Sequence, residues 1–355
     1  MEIIQHKQNS KLRIQMEQKF DIKAFPRGAT QVMFQPSAIG GVLMLIGIFW
    51  GSIAGGHAEV AIGAVVGLVV STITGLLLAL PTEDGEIGLW GFNGILVGCA
   101  FMTFLGSTPL AWVALVFCAA MTTWVREGMN KVGAVNKVSS FTFPFVLCTW
   151  LFLAAARVLT GLDEVSLSHP LLPYIHHYDI AATPPHTLWE GLEWSLRGVG
   201  QIMLIDSWVT GLFFLAGLLV SSPWAALWAF VGSSVGTYGA LLYGASEVAV
   251  SSGLYGFSPA LTAIALGCVF YRPSWRSAIW ALLGTIATLF AQAAVNVFLE
   301  PLGLPALTAP FCITTWLFLL PLLSFDKHKT TAEDHTSWHK KTSETNKQII
   351  KQLNH

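Results

Sequence analysis

The sequence predicts an all-α integral membrane protein built from two inverted-topology repeats, each with five transmembrane helices and one re-entrant half-helix, about ten transmembrane helices in all. Three observations predict it. Of the 355 residues, 54% are hydrophobic and only 11% charged, and the mean hydropathy is +0.61, far from the roughly 25% charged residues of soluble domains. The chain also repeats itself: GLWGFNGILVG, from Gly88 to Gly98, returns as GLYGFSPALTA from Gly253, 165 positions later. Arg27, Gly28, Gln31 and Gly41 return at an offset of 170 as Arg197, Gly198, Gln201 and Gly211, and Thr142-x-Pro144-Phe145 returns at 166 as Thr308-x-Pro310-Phe311, each followed by Thr-Trp-Leu-Phe-Leu. Three blocks returning in one order mark a duplicated domain. Finally, many apolar segments fall short of the roughly 20 residues of a straight span and carry Gly or Pro inside, the pattern of transport proteins with a site at a repeat interface.

Residues 1–24 form a polar arm, expected on the cytoplasmic side, with no apolar core of a secretory signal. The first repeat is assigned to residues 25–160. It opens on residues 25–36, too short and polar to cross, and continues through apolar runs at 39–50, 60–80, 91–105, 109–125 and 145–159. Residues 161–194 connect the halves. The second repeat, 195–325, opens on the equivalent segment 195–206 and continues through runs at 208–220, 224–243, 254–270, 279–298 and 306–323, before a polar cytoplasmic tail at 326–355. Non-spanning backbone at membrane depth is tolerated only where protein buries it or it lines a cavity, so the two opening segments read as half-helices dipping in from opposite faces. Five crossings, an odd number, give the repeats opposite topology.

Charge sets the orientation. Lys and Arg gather in the arm, in residues 126–137, at Arg272 and Arg276, and in the tail, while the loops around His57, Ser107 and Glu300 hold few. The basic loops are expected inside, with both termini, in a cell inner membrane. Cys99, Cys118, Cys148, Cys268 and Cys312 lie in apolar runs without paired spacing, which suits neither a disulfide framework nor zinc. His169, His176, His177 and His186 in the connector lack metal-ligand spacing, and the tail's His335 and His339 lack a third ligand. No metal and no cofactor are expected.

The candidate site residues are those that recur. Gln31 and Gln201 place an amide in an otherwise apolar segment of each repeat, where an unpaired amide would cost several kcal/mol; they line a pore or satisfy neighbouring backbone. Thr142 and Thr308 stand two residues before a proline, whose missing N–H leaves a carbonyl about one turn earlier free to meet a polar ligand. The alternative is ordinary kinks with threonines bonded back to the helix. Phe92 with Leu96 and Phe257 with Leu261 share a helix face, and Val32 with Phe34 matches Ile202 with Leu204. Such residues are core packing or, beside polar oxygens, the flat walls of a slot that passes planar solutes.

Together, GLWGFNGxLVG, the G-x-x-Q-V segment and the F-T-x-P-F segment resemble the urea transporter family, over roughly residues 25–325. The resemblance implies a homotrimer in a lipid bilayer, with one pore per protomer, through which urea passes in single file. Carried over, Gln31 and Gln201 would bind urea at the two outer positions and Thr142 and Thr308 would line the central constriction. Val32, Phe34, Phe92, Leu96, Ile202, Leu204, Phe257 and Leu261 would form the walls. The second copy departs at Phe257-Ser258-Pro259 and at Leu204, so the two ends of the slot differ.

An ammonia or other small-amide channel is the nearest alternative, but such a pore is expected to hold histidine at membrane depth, and no histidine lies inside a long apolar run. Ion coupling would require ionisable residues within the membrane; Asp206, Glu247, Glu300 and Arg157 all sit near segment ends. An enzyme would need a nucleophile with a base, or a metal cluster, and the usual motifs are absent. Nothing in the charge distribution suggests nucleic acid. The expected function is passive, selective conduction of urea.

Overall fold

In hydrocarbon every backbone N–H and C=O must be satisfied within its own segment, which leaves helices as the natural product of this composition. The computed structural model describes residues 21–134, 138–170 and 180–321. Among them the regular structure is helical, with two isolated bridges, Leu105 to Glu164 and Ala181 to Ser246. The helices are α1 (Ala24–Gln31), α2 (Ala38–Ala54), α3 (Ala58–Leu77), α4 (Thr82–Glu86), α5 (Phe92–Phe104), α6 (Pro109–Gly133) and α7 (Phe143–Ala156). The series then runs again as α8 (Leu188–Gly200), α9 (Trp208–Ser221), α10 (Pro223–Leu242), α11 (Glu247–Ser251), α12 (Phe257–Ile264), α13 (Trp275–Leu299) and α14 (Ala309–Leu319).

Among the described residues four helices are long and apolar enough to cross a membrane: α3, α6, α10 and α13. A fifth span results if α8, with its 3-10 turn Gln201–Met203, is joined to α9, from which it is bent by 73°. Helices α2, α5, α7, α14 and α12 with its extension are apolar but shorter, 10–17 residues. Non-helical or 3-10 stretches of several residues precede α2 and α9 (32–37 and 201–207) and α7 and α14 (138–142 and 303–308). Helix α6 runs to Gly133, eight residues past the apolar run, because Arg126 is buried against Asp84 at 2.9 Å rather than ending the helix. Helix α8 begins at Leu188, ahead of the expected 195, where Thr187 caps it by accepting from the Glu190 N–H.

Hydrophobic driving force is weak between helices in lipid, so close approach of backbones does the packing. Helix α3 lies against α5 where Gly63 faces Gly98 and Gly67 faces Gly94, with no room for a Cβ at any of the four. In the second repeat Gly232 and Gly236 of α10 meet Pro259, Ala260 and Ala263 of α12. Across the repeats α2 packs on α9: Gly40 meets Gly217, and the Thr210 hydroxyl donates to Gly47 O at 2.8 Å. Serine caps start both of these helices, Ser37 accepting from Gly40 N and Ser207 from Thr210 N. One core cluster joins the halves, with Phe101 and Phe145 from the first and Phe214 and Phe311 from the second among its fully buried members. Outward, large apolar residues such as Phe117, Val113, Leu283 and Phe290 are exposed, as a lipid-facing surface requires.

Candidate permeation pathway

Each opening helix carries its glutamine at or just past the last turn, and each glutamine is held in the same way. Gln31 Nε2 donates to Ile87 O at 2.8 Å, and Gln201 Nε2 donates to Ser252 O at 3.0 Å. The accepting carbonyl in both cases precedes a glycine in the left-handed region, Gly88 at φ +89° and Gly253 at φ +76°. These glycines press on Arg27–Gly28 and Arg197–Gly198 backbone so closely that no Cβ fits, which explains why the recurring blocks begin with glycine. With one amide hydrogen engaged, the orientation of the amide is fixed. Its oxygen accepts nothing among the described residues and is available to a solute N–H. The alternative of an amide satisfied entirely by backbone is met only halfway.

Among the described residues five non-glycine residues occupy the left-handed region, and four of them form two repeat-related pairs: Phe34 with Leu204, and Phe141 with Leu307, at φ between +50° and +64°. A side chain there costs about 1–2 kcal/mol. Strain kept in both copies at one place points to function rather than accident. Phe34 and Leu204 stand three residues past Gln31 and Gln201, and Phe141 and Leu307 stand immediately before the two threonines.

Thr142 and Thr308 occupy the N-cap positions of α7 and α14, yet neither side chain caps its own helix. Instead the two hydroxyls share a hydrogen bond across the repeats at 2.6 Å, and Cys312 Sγ lies 3.4 Å from Thr142 Oγ1. Pro144 and Pro310 fall in the first turn of their helices, where an N–H would have no partner in any case. The carbonyls four residues earlier are therefore not orphaned, since Ser140 O accepts from Phe143 N and Ala306 O from Ala309 N. The next carbonyls along, those of Phe141 and Leu307, accept no backbone hydrogen bond among the described residues. The oxygens that come together at the centre are thus two hydroxyls and, beside them, two open carbonyls.

Around Phe34 three further rings gather, Phe141 at 6.1 Å and Phe270 and Phe311 at 5.9 Å, all edge-on to it. By the repeat offsets the corresponding residues are Leu204, Leu307, Leu105 and Phe145, so the aromatic box is built once. A π-helical turn, Ala265–Val269, precedes Phe270, whose N–H donates to Ala265 O; its counterpart Leu105 donates to Phe101 O in ordinary α geometry. Phe141 and Phe270 carry no recurrence signal, because leucine stands at both of their counterparts; Phe311 does recur, as Phe145, but only one of the two copies faces an aromatic box.

The remaining wall candidates are tightly packed. Phe92 and Phe257 start α5 and α12 with 6% and 9% of their surface exposed, while Leu96 and Leu261 one turn on have none. Val32 and Ile202 are likewise buried. Of the ionisable residues near the segment ends, Arg157 pairs with Glu164 and Asp206 with Arg197, which also holds Glu193, and Arg27 pairs with Asp21; Glu247 and Glu300 are in none of the ion pairs among the described residues. No group of three or more His, Cys, Asp or Glu side chains comes together among the described residues. His176, His177, His335 and His339 lie outside them.

The family model described as urea transporter matches residues 22–322. The chain is 31% identical over 299 residues to "Urea transporter 1" of Ovis aries, covering 83% of this chain and 75% of that protein. It is also 31% identical over 303 residues to "Urea transporter 1" of Rattus norvegicus, with the same shares covered.

Proposed function

The chain belongs to the urea transporter family, and from that premise we propose a passive route for urea between its two repeats. It is a multi-pass membrane protein that acts as a urea channel or facilitator and is not an enzyme. In the proposed arrangement residues 25–160 and 195–325 are the repeats, inverted with respect to each other and crossing the membrane five times each. The arm at 1–24 and the tail at 326–355 are cytoplasmic, and 161–194 connects the halves outside. The protein assembles as a homotrimer in the cell inner membrane.

Urea is neutral and planar, so it escapes the charge penalty of the bilayer and has to be compensated only for its lost hydrogen bonds to water. Gln31 Oε1 and Gln201 Oε1 accept from its N–H groups at the two ends. Thr142 and Thr308, with the Phe141 and Leu307 carbonyls, accept at the centre. Phe34, Phe92, Phe257 and Leu204 flank the route as flat or slender walls, with Val32, Ile202, Leu96 and Leu261 packed behind or between them. Several shallow sites in series release the solute quickly, where one tight site would trap it. The observation that carries this reading is the repeat-related pair of amides, each with one N–H engaged and its oxygen open.

The test is stopped-flow light scattering of proteoliposomes under inward gradients of urea, glycerol and an ammonium salt, against empty liposomes. Rapid entry of urea alone, with no proton or sodium gradient, is the expected result. Urea entry equal to that of empty liposomes, with fast equilibration of ammonia, overturns the reading of the substrate.

A further inference from the structure

The two helices that carry the central threonines also carry a tryptophan eight residues further on, and these tryptophans make a reciprocal contact. Trp150 of α7 donates its indole N–H to Pro305 O at 2.8 Å, and Trp316 of α14 donates to Ser139 O at 2.9 Å. Donors and acceptors are both related by the repeat offset of 166. Each bond crosses from one repeat to the turn that feeds the other repeat's threonine. The held carbonyl lies three residues before Thr308 or Thr142, and two before Leu307 or Phe141, the residues in the left-handed region. A turn that stores backbone strain persists only when its surroundings hold it in place. The indoles are well placed to do so, because a fixed ring nitrogen constrains a carbonyl along a single direction. The grip is unequal: Trp316 also stacks on Phe141, with centroids 6.2 Å apart and planes 27° apart, and meets Phe143 edge-on at 5.2 Å. Trp150 meets Phe143 at 6.4 Å, and its turn has a second support in Arg157, which donates to Gly303 O at 2.9 Å.

We propose that Trp150 and Trp316 are positioning residues of the pathway, each indole N–H clasping the entry turn of the opposite repeat so that the separation of Thr142 and Thr308 sets the size limit for solutes. Neither tryptophan touches the solute. They act through the threonine hydroxyls, which in this structure stand close enough to bond one another. The inference rests on the reading that the pathway passes between those threonines.

The experiment compares entry of urea and of N-methylurea into proteoliposomes bearing the wild-type protein, Trp150→Phe or Trp316→Phe, each checked for thermal stability in detergent. Phenylalanine keeps a ring and removes the N–H. The ratio of N-methylurea to urea flux is expected to rise about fivefold in each variant, the scale of one hydrogen bond. A purely structural role would lower both fluxes together and leave their ratio at the wild-type value, which overturns the proposal. Should a phenylalanine variant fail to fold, Trp150→His and Trp316→His decide: their shorter ring leaves an N–H short of the carbonyl, so a ratio above the wild-type value supports the clasp and a wild-type ratio refutes it. Wild-type urea flux no greater than that of empty liposomes would instead refute the function proposed above, and is read separately from the ratio.

Discussion

Gln31 and Gln201 differ from every other polar residue in the opening helices in that half of each amide is fixed and half is open. Replacing either by alanine removes one acceptor, a loss of about 1 kcal/mol and hence roughly five times weaker binding at that end. The expected outcome is a higher half-saturating urea concentration in each single variant, measured from the concentration dependence of flux, with little change in protein stability. Equal half-saturation in wild type and variants would remove the amides from the route. The glutamines and threonines were legible in the sequence because both copies keep them, but their geometry was not. Thr142 and Thr308 are expected beside carbonyls freed one turn before Pro144 and Pro310, but those carbonyls, Ser140 O and Ala306 O, are satisfied, and the threonines are N-cap residues that bond each other rather than their helices. Phe141 and Phe270 were invisible to a search for recurrence, since a leucine stands in the other copy and a π-helical turn precedes Phe270.

Helix pairing depends on glycine at a few crossings, and the sequence reading had no means to say which. At Gly67 of α3 a side chain would run into the Gly94 carbonyl of α5. Gly67→Val should therefore push the helices apart and destabilise the protein by about 1–3 kcal/mol, the usual range for overpacking, visible as a lower melting temperature in detergent. An unchanged melting temperature would mean that the α3 and α5 backbones are not in contact. Gly88→Ala combines a left-handed φ of +89° with a collision against Arg27 and Gly28, so it should displace Ile87 and the Gln31 amide that depends on it. Its expected signature is reduced urea flux with the largest part of the fold retained. Element ends were read less well than element identities. Apolar runs stop at the first charge, whereas α6 continues through Arg126 to Gly133 because Asp84 neutralises that charge from a neighbouring segment.

At the scale of the whole molecule the duplication was plain in the sequence, and the helix series α1 to α7 runs again as α8 to α14. What a sequence could not supply was the meeting of the two halves, since contacts such as Thr142 to Thr308 or α2 to α9 join residues more than 150 positions apart. The proposed orientation predicts opposite exposure for surface positions on the two sides of the membrane. In intact cells His57→Cys and Ser107→Cys should react with a membrane-impermeant maleimide and Glu83→Cys should not, all three positions being exposed in the fold. Four of the five native cysteines are buried, so background labelling is expected to be low. Labelling of all three positions, or of Glu83→Cys alone, would contradict the orientation. The claim on which the account depends is that urea crosses between the repeats past the two hydroxyls. The most direct measurement is urea flux through proteoliposomes bearing the Thr142→Val, Thr308→Val double variant, whose side chains keep the shape and lose the oxygens. The account predicts flux close to that of empty liposomes from a protein that melts at nearly the wild-type temperature; wild-type flux from the same preparation would contradict it.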